Sequence, residues 1–517
     1  MAKIKTAQYI MIASAALVAA CTAVGASLIP APREMKATEG FFVSDSPGDS
    51  VPLRSETDAS LPKEGYRLSV TPDGISVRAA DDAGVFYARQ TLRQLGAKSG
   101  KKWRYPCVEI TDSPAYRWRG VLLDEGRHFF GKETVRNLLD LMAMYKFNVF
   151  HWHLTEDQGW RLDIPGYPKL AKFGSMRRRS PAHGASLQRG QDKDGARTYH
   201  STEMTTEAYG PFYYTADDVK EILAYAKERH IEVVPEIELP GHARGALGAY
   251  PEFSCFPERI PAGAAADDWG IFRDVFCMGN DETVRFLENV LDYVCELFPS
   301  QVIHIGGDEC PTVNWAACPK CKARMEKEGL TKPSELQIWI TRHMAAHLAK
   351  KGRRIMGWDE ILNGDVPKTA IGQSWRIAAK EGAGTDHVSG AEGAIKGHDM
   401  VISPHNLTYY SYLQGLAEDP FQRTGGTLPL EKAYTFDPSA GVPEAARAHI
   451  LGGQCCLWGE YVWNRYDLAW RMWPRAFAMS EILWTAPEKR DFAEFKQRAA
   501  EHRKRLISLG VNCAPLE

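Results

Sequence analysis

The chain has 517 residues, of which 44% are hydrophobic and 25% are charged, a composition typical of soluble globular proteins. This length is too great for one ordinary domain and suits a large domain with a small companion. The formal net charge of −2 gives no overall attraction to nucleic acid or to an anionic membrane, so we expect no nucleic-acid partner.

The N-terminus has the pattern of an export signal. Two lysines precede an apolar run over residues 9–20, which is too short for a membrane span. The sequence therefore predicts a signal peptide over residues 1–26 and an exported protein, which is periplasmic, an outer-membrane lipoprotein or secreted. Val18-Ala19-Ala20-Cys21 resembles a bacterial lipobox, which would attach the protein to a membrane through a lipid on Cys21. The alternative is ordinary cleavage after Ala26.

Export makes disulfide bonds available to the cysteines that follow Cys21. Cys255 and Cys277 bracket a polar segment, and we expect this pair to be bonded first. Cys318-Pro-Lys-Cys321 has half of a zinc pattern, but no histidine or second Cys-x-x-Cys pair lies at finger-like spacing nearby. We therefore predict a local disulfide or free thiols there, no metal site and no cofactor.

Residues 27–112 are predicted to form a small α+β domain. Residues 65–70 and 74–78 alternate apolar and polar side chains, as half-buried strands do. Residues 83–95 then carry apolar side chains at helical spacing. This domain contains no obvious chemistry.

From residue 113 to the C-terminus, strand, loop and helix patterns repeat. Such alternation implies a parallel sheet, and eight units imply an α/β fold of the (β/α)8 TIM barrel type. The predicted strands are residues 120–123, 148–154, 232–237, 301–305, 354–358, 370–375, 400–403 and 450–457. Helices are predicted at residues 134–144, 216–229, 281–297 and 333–350, with a closing helix at 492–509.

The fourth predicted strand, residues 301–305, leads into the most informative segment of the chain. Gly306 and Gly307 let the backbone leave this apolar strand in a conformation that other residues adopt only at a cost. Asp308 and Glu309 are then presented at the C-terminal end of a parallel strand, where barrels carry their chemistry. A solvated pair of acids would require neither the glycines nor the apolar strand.

Polar and aromatic side chains follow all eight predicted strands. In chain order they are Arg127, Glu156 and Asp157, His242, Asp308 and Glu309, Trp358, Trp375, Tyr409, and Trp458 with Glu460. Because the carboxyl ends of the strands share one face of a barrel, these groups should converge on one pocket. Three tryptophans at strand ends favour a carbohydrate ligand, since the carbon-bearing faces of sugars stack on indole rings.

The segment His304-Ile-Gly-Gly-Asp-Glu309 resembles the signature of the family 20 glycoside hydrolases, the β-N-acetylhexosaminidases. Similar segments are Arg119-Gly-Val-Leu-Leu-Asp-Glu-Gly-Arg127-His128, His151-Trp-His-Leu-Thr-Glu-Asp157, Pro235-Glu-Ile-Glu-Leu-Pro-Gly-His242, Gly357-Trp-Asp-Glu360, Gln373-Ser-Trp375 and Trp458-Gly-Glu460. Their order and spacing extend the resemblance over nearly the whole mature chain. It implies an exo-acting enzyme that hydrolyses terminal β-linked GlcNAc or GalNAc from glycans such as mucins, N-glycans, chitooligosaccharides or glycosaminoglycan fragments.

The resemblance also implies a retaining mechanism in which the substrate supplies the nucleophile. Glu309 is the expected general acid and later the base for water. Asp308 and Tyr409 are expected to orient the 2-acetamido group, whose oxygen attacks C1 and gives an oxazolinium-like intermediate. No enzymic nucleophile and no cofactor are needed.

Binding roles follow from the same resemblance. Arg127 and Glu460 match the positions that bind the 3- and 4-hydroxyls of the sugar, and the aromatic walls match Trp358, Trp375 and Trp458. Glu156 and His242 match a carboxylate–histidine pair behind the general acid. Several relatives have aspartate at the place of Glu156, so the hydrogen bonding of this pair stays open, as does a purely structural role for His242.

The chain departs from the family pattern after the seventh strand. Tyr409-Tyr410-Ser411 has serine where the family commonly has an aspartate that accepts a hydrogen bond from the sugar's 6-hydroxyl. Serine gives more room and can donate a hydrogen bond, which suggests tolerance of 6-O-sulfated GlcNAc. The basic run at residues 177–179 could supply charge. The alternative is that Ser411 only enlarges the pocket and the arginines are solvated.

Two rival functions compete with glycoside hydrolysis. A metallohydrolase would use His151 and His153 with His242 and Asp308, but it leaves the tryptophans unexplained. We interpret His151 and His153 as packing inside the barrel. A barrel that binds sugar without cleaving it would lack Asp308 or Glu309, and this chain retains both.

Overall fold

The fold is given by a computed structural model, which describes residues 27–516 apart from 184, 186, 192–196, 378–387, 418 and 420–425. The predicted signal peptide and the lipobox cysteine lie outside the described residues, so export and lipid attachment stay predictions. None of the helices that the structure describes combines the length and apolarity needed to cross a bilayer. The chain divides into two compact units.

The first unit contains the described residues up to Arg119, together with Asp140–Asn148 and the chain from Trp473 onward. Its sheet has the strand order β1-β6-β3-β4-β2, with β5 paired to β6. The strands are β1 (Glu34–Ser44), β2 (Arg54–Thr57), β3 (Tyr66–Thr71), β4 (Gly74–Ala79), β5 (Ala97–Ser99) and β6 (Lys102–Asp112). The predicted strands and helix of the small α+β domain are confirmed.

The helix Asp82–Leu95 packs one face into the core of this unit. Asp81 caps its N-terminus by accepting a hydrogen bond from the Gly84 N–H. Tyr87 and Leu92 on the helix are fully buried, as are Leu68 and Val77 on the sheet. Burial of such side chains contributes about 1.5–3 kcal/mol each to folding, relative to leaving them exposed.

The C-terminal helices Arg475–Trp484 and Phe492–Ser508 also belong to the first unit. The sequence predicts that residues 113–517 form the barrel and that the last helix closes it. The predicted helix is confirmed, but its contacts group it with the N-terminal sheet. Trp484 joins the apolar core of that sheet, and its indole N–H donates to Asp112 Oδ1 at 2.9 Å. An amphipathic pattern shows that a helix buries one face but not which partner covers it.

The second unit holds a closed barrel with the strand order β13-β14-β15-β16-β17-β18-β7-β8. Its strands are β7 (Trp118–Asp124), β8 (Val149–His153), β13 (Glu232–Glu236), β14 (Val302–His304), β15 (Arg354–Trp358), β16 (Ile371–Ser374), β17 (Met400–Ile402) and β18 (Ile450–Leu457). Neighbouring strands pair in parallel. All eight predicted strands overlap the observed ones, so the predicted TIM barrel is confirmed.

Helices and short hairpins surround the barrel strands. The helices are Gly131–Met144, Ala216–Lys227, Arg244–Ala249, Asp281–Leu297, Val313–Ala317, Pro319–Glu328, Glu335–Ala349, Gly390–Ile395, His405–Thr408, Leu430–Tyr434 and Arg465–Met472. The two hairpins are β9 (Thr155–Glu156) with β10 (Gly159–Trp160), and β11 (Leu187–Gln191) with β12 (Arg197–Ser201). Both lie in the long connection after β8, which places the extra chain at the C-terminal end of that strand.

Candidate active site

The turn after β14 presents the two adjacent carboxylates. Gly306 and Gly307 have φ values of +63° and +96°, the conformations that the sequence predicts for them. A Cβ on Gly306 would lie 1.8 Å from Glu238 Oε2, so a larger residue would have to displace that buried carboxyl group. Glu309 also has a positive φ of +47°. Such a conformation costs about 1–3 kcal/mol in a residue with a side chain and is concentrated at functional sites.

Asp308 and Glu309 have opposite electrostatic environments although they are neighbours in the chain. Burial raises the pKa of Glu309 to about 7, opposed by His242 and assisted by the charge of Asp308. Burial would also raise the pKa of Asp308, but the attraction of His242 outweighs it and lowers that pKa. Below pH 7 the pair therefore contains one protonated acid and one carboxylate, as acid–base chemistry requires.

His242 lies between two pairs of acidic side chains. Its Nδ1 is 2.9 Å from Asp157 Oδ2, and its Nε2 is 3.5 Å from Asp308 Oδ2 and 3.8 Å from Glu309 Oε2. Burial lowers the pKa of His242, but Glu156 and Asp308 raise it more, and the net pKa is well above the usual value. The raised pKa favours the imidazolium form of His242 at neutral pH, and this cation contacts carboxylates of both pairs. A histidine with only a structural hydrogen bond in its loop would not make these contacts.

Asp157 makes the hydrogen bond that the sequence assigns to Glu156. Besides its bond to His242, Asp157 accepts a hydrogen bond from the Arg244 N–H at 3.0 Å, which fixes the loop after β13. Glu156 lies 3.1 Å from His242 Nδ1, but its closer cationic partner is Arg127 Nη2, at 2.5 Å. Asp157 is thus the carboxylate that forms the hydrogen bond with His242, and Glu156 serves mainly to hold the arginine.

Arg127 is held in place by acids from the end of its own strand, β7, and from the ends of β8 and β18. Its guanidinium lies 3.2 Å from Asp124 Oδ2 and 3.8 Å from Glu460 Oε1, and its Nε donates to Gln158 Oε1 at 3.1 Å. Among the described residues, Glu460 Oε2 has no hydrogen-bonding partner. A buried acceptor of this kind can accept a hydrogen bond from a ligand hydroxyl.

Four aromatic side chains form one wall of the pocket. The rings of Trp358 and Trp458 are 5.5 Å apart, Tyr409 lies 5.7 Å from Trp458, and Trp375 is stacked 6.5 Å from Tyr409. Trp375 and Trp458 are only half-buried, so part of each ring faces open space. The structure therefore brings together all three predicted tryptophans and Tyr409.

Buried polar contacts beneath this wall fix its orientation. Glu236 accepts a hydrogen bond from Trp358 Nε1 at 2.9 Å and contacts His151 Nε2 at 3.0 Å and His304 Nδ1 at 2.8 Å, with His153 alongside. Burial would raise the pKa of Glu236, but the histidines hold it well below its usual value. His151 and His153 thus bind the buried Glu236 carboxylate, whereas the sequence predicts only that they pack inside the barrel.

The metallohydrolase arrangement is not formed by these residues. Within the part of the chain that the structure describes, His151 and His153 belong to groups centred on Glu236 that do not include His242. His242 belongs instead with Asp157 and Asp308. The geometry therefore gives no common centre for the four residues of that rival function.

Two family models match the chain. The model described as the catalytic domain of glycosyl hydrolase family 20 matches residues 116–487, and the model of that family's domain 2 matches residues 43–113. The chain belongs to glycosyl hydrolase family 20. The resemblance seen in the sequence is thereby confirmed, and the second match corresponds to the predicted N-terminal domain.

Individual family 20 relatives agree with this assignment. A beta-hexosaminidase of Porphyromonas gingivalis is 38% identical over 476 residues, and one of Vibrio furnissii is 37% identical over 435 residues. These matches cover 90% and 82% of this chain but only 56% and 66% of those longer proteins. A solved family 20 exo-β-N-acetylglucosaminidase of Vibrio harveyi, in complex with N-acetylglucosamine, matches with a TM-score of 0.81 and 30% identity, covering 95% of this chain and 78% of that one.

Ser411, the departure from the family pattern, is buried near a cation that the sequence does not single out. Its side chain exposes 1% of its surface, and among the described residues its Oγ has no hydrogen-bonding partner. Arg471, from the helix Arg465–Met472, donates to the Ser411 carbonyl oxygen. Burial lowers the pKa of Arg471 to about 10, so it is a cation at neutral pH.

The arginine run at residues 177–179 does not supply the pocket with charge in the way the sequence suggests. Arg177 is fully buried and donates to the main-chain oxygens of Arg127 and Gln158, so it supports the rim from behind. Arg178 donates to the Ala262 carbonyl, and the guanidinium of Arg179 lies 3.7 Å from Asp267. The first arginine is structural and the other two are held on the surface.

Sequence reasoning misses Glu236 and Glu238 and gives Asp157 no role, although these residues have a common signal. All three are acids within otherwise apolar strand ends, where an unpaired carboxylate would be costly to bury. Such residues require partners, which the structure supplies as His242, the strand histidines and the Gly307 N–H. Arg471 has no comparable signal, because its helix lies far along the chain from Ser411.

The cysteine predictions need correction. Cys255 and Cys277 are not joined by a disulfide, and both have free thiols. The pair Cys318 and Cys321 is not isolated either, since Cys255 Sγ lies 3.7 Å from Cys321 Sγ. The sequence argument against a second pair of ligands fails because Cys277 lies 41 residues before Cys318 and Cys255 lies 66 residues before Cys321, far outside finger-like spacing.

Proposed function

We propose that this protein is an exo-acting β-N-acetylhexosaminidase that hydrolyses terminal β-linked GlcNAc or GalNAc from glycans. The main observation behind this proposal is the Asp308–Glu309 pair, in which the pKa of Glu309 is raised to about 7 and the pKa of Asp308 is lowered. The names of the family 20 relatives, beta-hexosaminidase and exo-β-N-acetylglucosaminidase, support the same activity.

The proposed reaction is retaining and assisted by the substrate. Glu309 gives its proton to the departing glycosidic oxygen while the acetamido oxygen attacks C1, forming an oxazolinium-like ring. Asp308, kept ionised by His242, accepts a hydrogen bond from the acetamido N–H and stabilises the positive charge that develops. Glu309, now a carboxylate, takes a proton from water as that water opens the ring at C1, which restores the β configuration.

The remaining groups bind and orient the terminal sugar. Arg127 and Glu460 present a donor and a free acceptor side by side, which suits adjacent ring hydroxyls. The aromatic wall excludes water from the acetamido group, and the Tyr409 hydroxyl is the proposed donor to the acetamido oxygen. The open ring faces of Trp375 and Trp458 stack on the sugar.

This proposal is tested with matched aryl glycosides. We expect hydrolysis of aryl N-acetyl-β-glucosaminides and N-acetyl-β-galactosaminides, and at least about a hundredfold lower kcat/KM on the β-glucoside, because the intramolecular nucleophile is then missing. Proton NMR of the first product should show the β anomer. Equal turnover of both substrate types would point to an enzymic nucleophile, and binding of N-acetylglucosamine without hydrolysis would leave a sugar-binding barrel.

We further propose that the enzyme accepts a terminal GlcNAc that carries a 6-O-sulfate. The supporting observation is the neutral Ser411, at the place where the family commonly has an aspartate. Among the described residues its Oγ has no hydrogen-bonding partner, and its carbonyl oxygen accepts a hydrogen bond from the Arg471 cation. A carboxylate there would repel a sulfate by about 4 kcal/mol at 4 Å with an effective dielectric constant of about 20. Serine removes that repulsion and can donate a hydrogen bond to a sulfate oxygen.

The change Ser411→Asp should lower kcat/KM for a 6-sulfated aryl GlcNAc at least about tenfold more than for the unsulfated substrate, because it restores the repulsion. Ser411→Ala is the matched control, since it removes the hydroxyl without adding charge and should affect the sulfated substrate less. The measurement is kcat/KM for both substrates with all three proteins. A wild type that rejects the sulfated substrate, with a ratio unaltered by Ser411→Asp, would contradict the proposal.

A further inference from the structure

Four cysteine thiols meet outside the candidate active site. They form the four-cysteine cluster, which consists of Cys255, Cys277, Cys318 and Cys321. Their sulfur atoms all lie within 4.8 Å of one another. Three of the side chains are fully buried and the fourth, Cys255, is partly exposed.

The cluster is assembled from two loops that follow neighbouring barrel strands. Cys255 and Cys277 lie in the chain after β13, where Ser254 and Phe276 form an antiparallel bridge and the Cys277 N–H donates to the Phe253 oxygen at 2.8 Å. The other two cysteines come from the chain after β14, as a Cys-x-x-Cys pair at the start of the helix Pro319–Glu328.

A glycine permits the two loops to approach closely. A Cβ on Gly279 would lie 2.1 Å from the carbonyl carbon of Lys320, so only glycine fits beside the second cysteine pair. The Gly279 N–H also forms a hydrogen bond with the Cys277 sulfur. Trp315 Nε1 donates to the Phe276 oxygen at 2.9 Å, and this hydrogen bond joins the two loops.

Three of the six separations between the sulfur atoms match the edge of a zinc–thiolate tetrahedron, and the other three lie within 4.8 Å. The matching separations are 3.7 Å for Cys255–Cys321, 3.8 Å for Cys277–Cys318 and 3.7 Å for Cys277–Cys321. Four sulfurs at the usual zinc–sulfur distance of about 2.3 Å lie about 3.8 Å from each other. Two disulfides would require sulfurs about 2.05 Å apart. We propose that the four-cysteine cluster binds one structural zinc ion.

Four protein ligands leave no open coordination position, so this ion would be structural and not catalytic. The position of the four cysteines gives the ion a role in stabilising the loops that carry the catalytic residues. Phe276, next to Cys277, donates its N–H to the Pro240 oxygen at 3.0 Å, two residues before His242. The second loop begins with Asp308 and Glu309. The ion would therefore join the loop that carries the histidine to the loop that carries the two carboxylates.

This role changes the meaning of chelator experiments. Removal of a structural zinc ion would loosen both catalytic loops and lower activity together with stability. Sensitivity to chelators would then not indicate a metallohydrolase. Zinc binding by the four-cysteine cluster does not depend on the proposed glycosidase activity. Metal analysis therefore tests the zinc proposal without testing the glycosidase proposal.

The test is the metal content of the full chain, purified without added chelator. We expect about one zinc ion per chain by mass spectrometry of the metal, with all four thiols of the cluster recovered as free after denaturation in chelator. Replacing the zinc with Co²⁺ should give the strong visible bands of a tetrahedral thiolate site. These readouts do not require activity.

The variant Cys321→Ser should reduce the zinc content below about a tenth of an ion per chain, because a hydroxyl replaces a thiolate ligand. Cys255→Ser, at the partly exposed edge, is the second variant and should fold with weakened zinc retention. The control is Cys295→Ser, which removes a buried thiol outside the cluster and should leave the zinc content unchanged. A metal-free wild type that has lost the four thiols to two disulfides would overturn the proposal, as would full zinc retention by Cys321→Ser.

Discussion

The variant Glu309→Gln is expected to lose about 10²–10⁴-fold in kcat/KM on an unactivated N-acetyl-β-hexosaminide, because it removes the proton donor for the leaving oxygen. The amide has nearly the shape of the acid and carries no charge, so the fold should persist. Aryl glycosides with good leaving groups should lose less in the cleavage step, since they depart with little protonation. Near-wild-type rates on a natural disaccharide would show that another group donates the proton.

The pH profile gives this prediction a second readout. The acid form of Glu309 is needed, and its pKa is raised to about 7, so kcat/KM of the wild type should fall as the pH rises through about 7. Glu309→Gln cannot ionise at this position and should lack that alkaline limb. Glu238→Gln is a matched control, because Glu238 is a second buried acid whose pKa burial raises well above its usual value. It should keep the limb.

The barrel and the position of its pocket could be predicted from the sequence, because each strand has a local pattern of its own. Eight apolar segments, each followed by a polar or aromatic residue, specify both the barrel and the end at which the pocket lies. The predicted strands at residues 354–358 and 450–457 agree with β15 and β18 at both ends. The same logic finds Arg127, His242, Asp308, Glu309 and the tryptophans, because each stands at the C-terminal end of a strand or within a few residues of it.

What the sequence does not predict are contacts between distant segments. The exchange of roles between Glu156 and Asp157 is decided by which carboxylate reaches His242 once β8 and β13 pair side by side. The meeting of Ser411 with Arg471 depends on a helix that follows the last barrel strand. The four-cysteine cluster likewise requires two loops of separate strands to converge, and no spacing along the chain encodes that convergence.

The final prediction concerns Asp308, whose proposed role is to bind the acetamido N–H and stabilise positive charge. Asp308→Asn keeps the size of the side chain but removes its charge and its pairing with His242 Nε2, 3.5 Å away. We expect kcat for N-acetyl-β-hexosaminides to fall about 10²–10³-fold, the range found when one group that stabilises transition-state charge is removed. KM should change less, because most binding contacts remain.

Two further measurements separate this role from simple disruption of the site. The charge of Asp308 contributes to the raised pKa of Glu309, so Asp308→Asn should lower that pKa and move the alkaline limb of the pH profile to lower pH. Affinity for a thiazoline that mimics the oxazolinium ring should also fall. Asp365→Asn, at an exposed aspartate after β15, is the control and should change neither property. Equal losses on substrates with and without the acetamido group would contradict substrate assistance, because the larger part of the loss should come from the contact of Asp308 with that group.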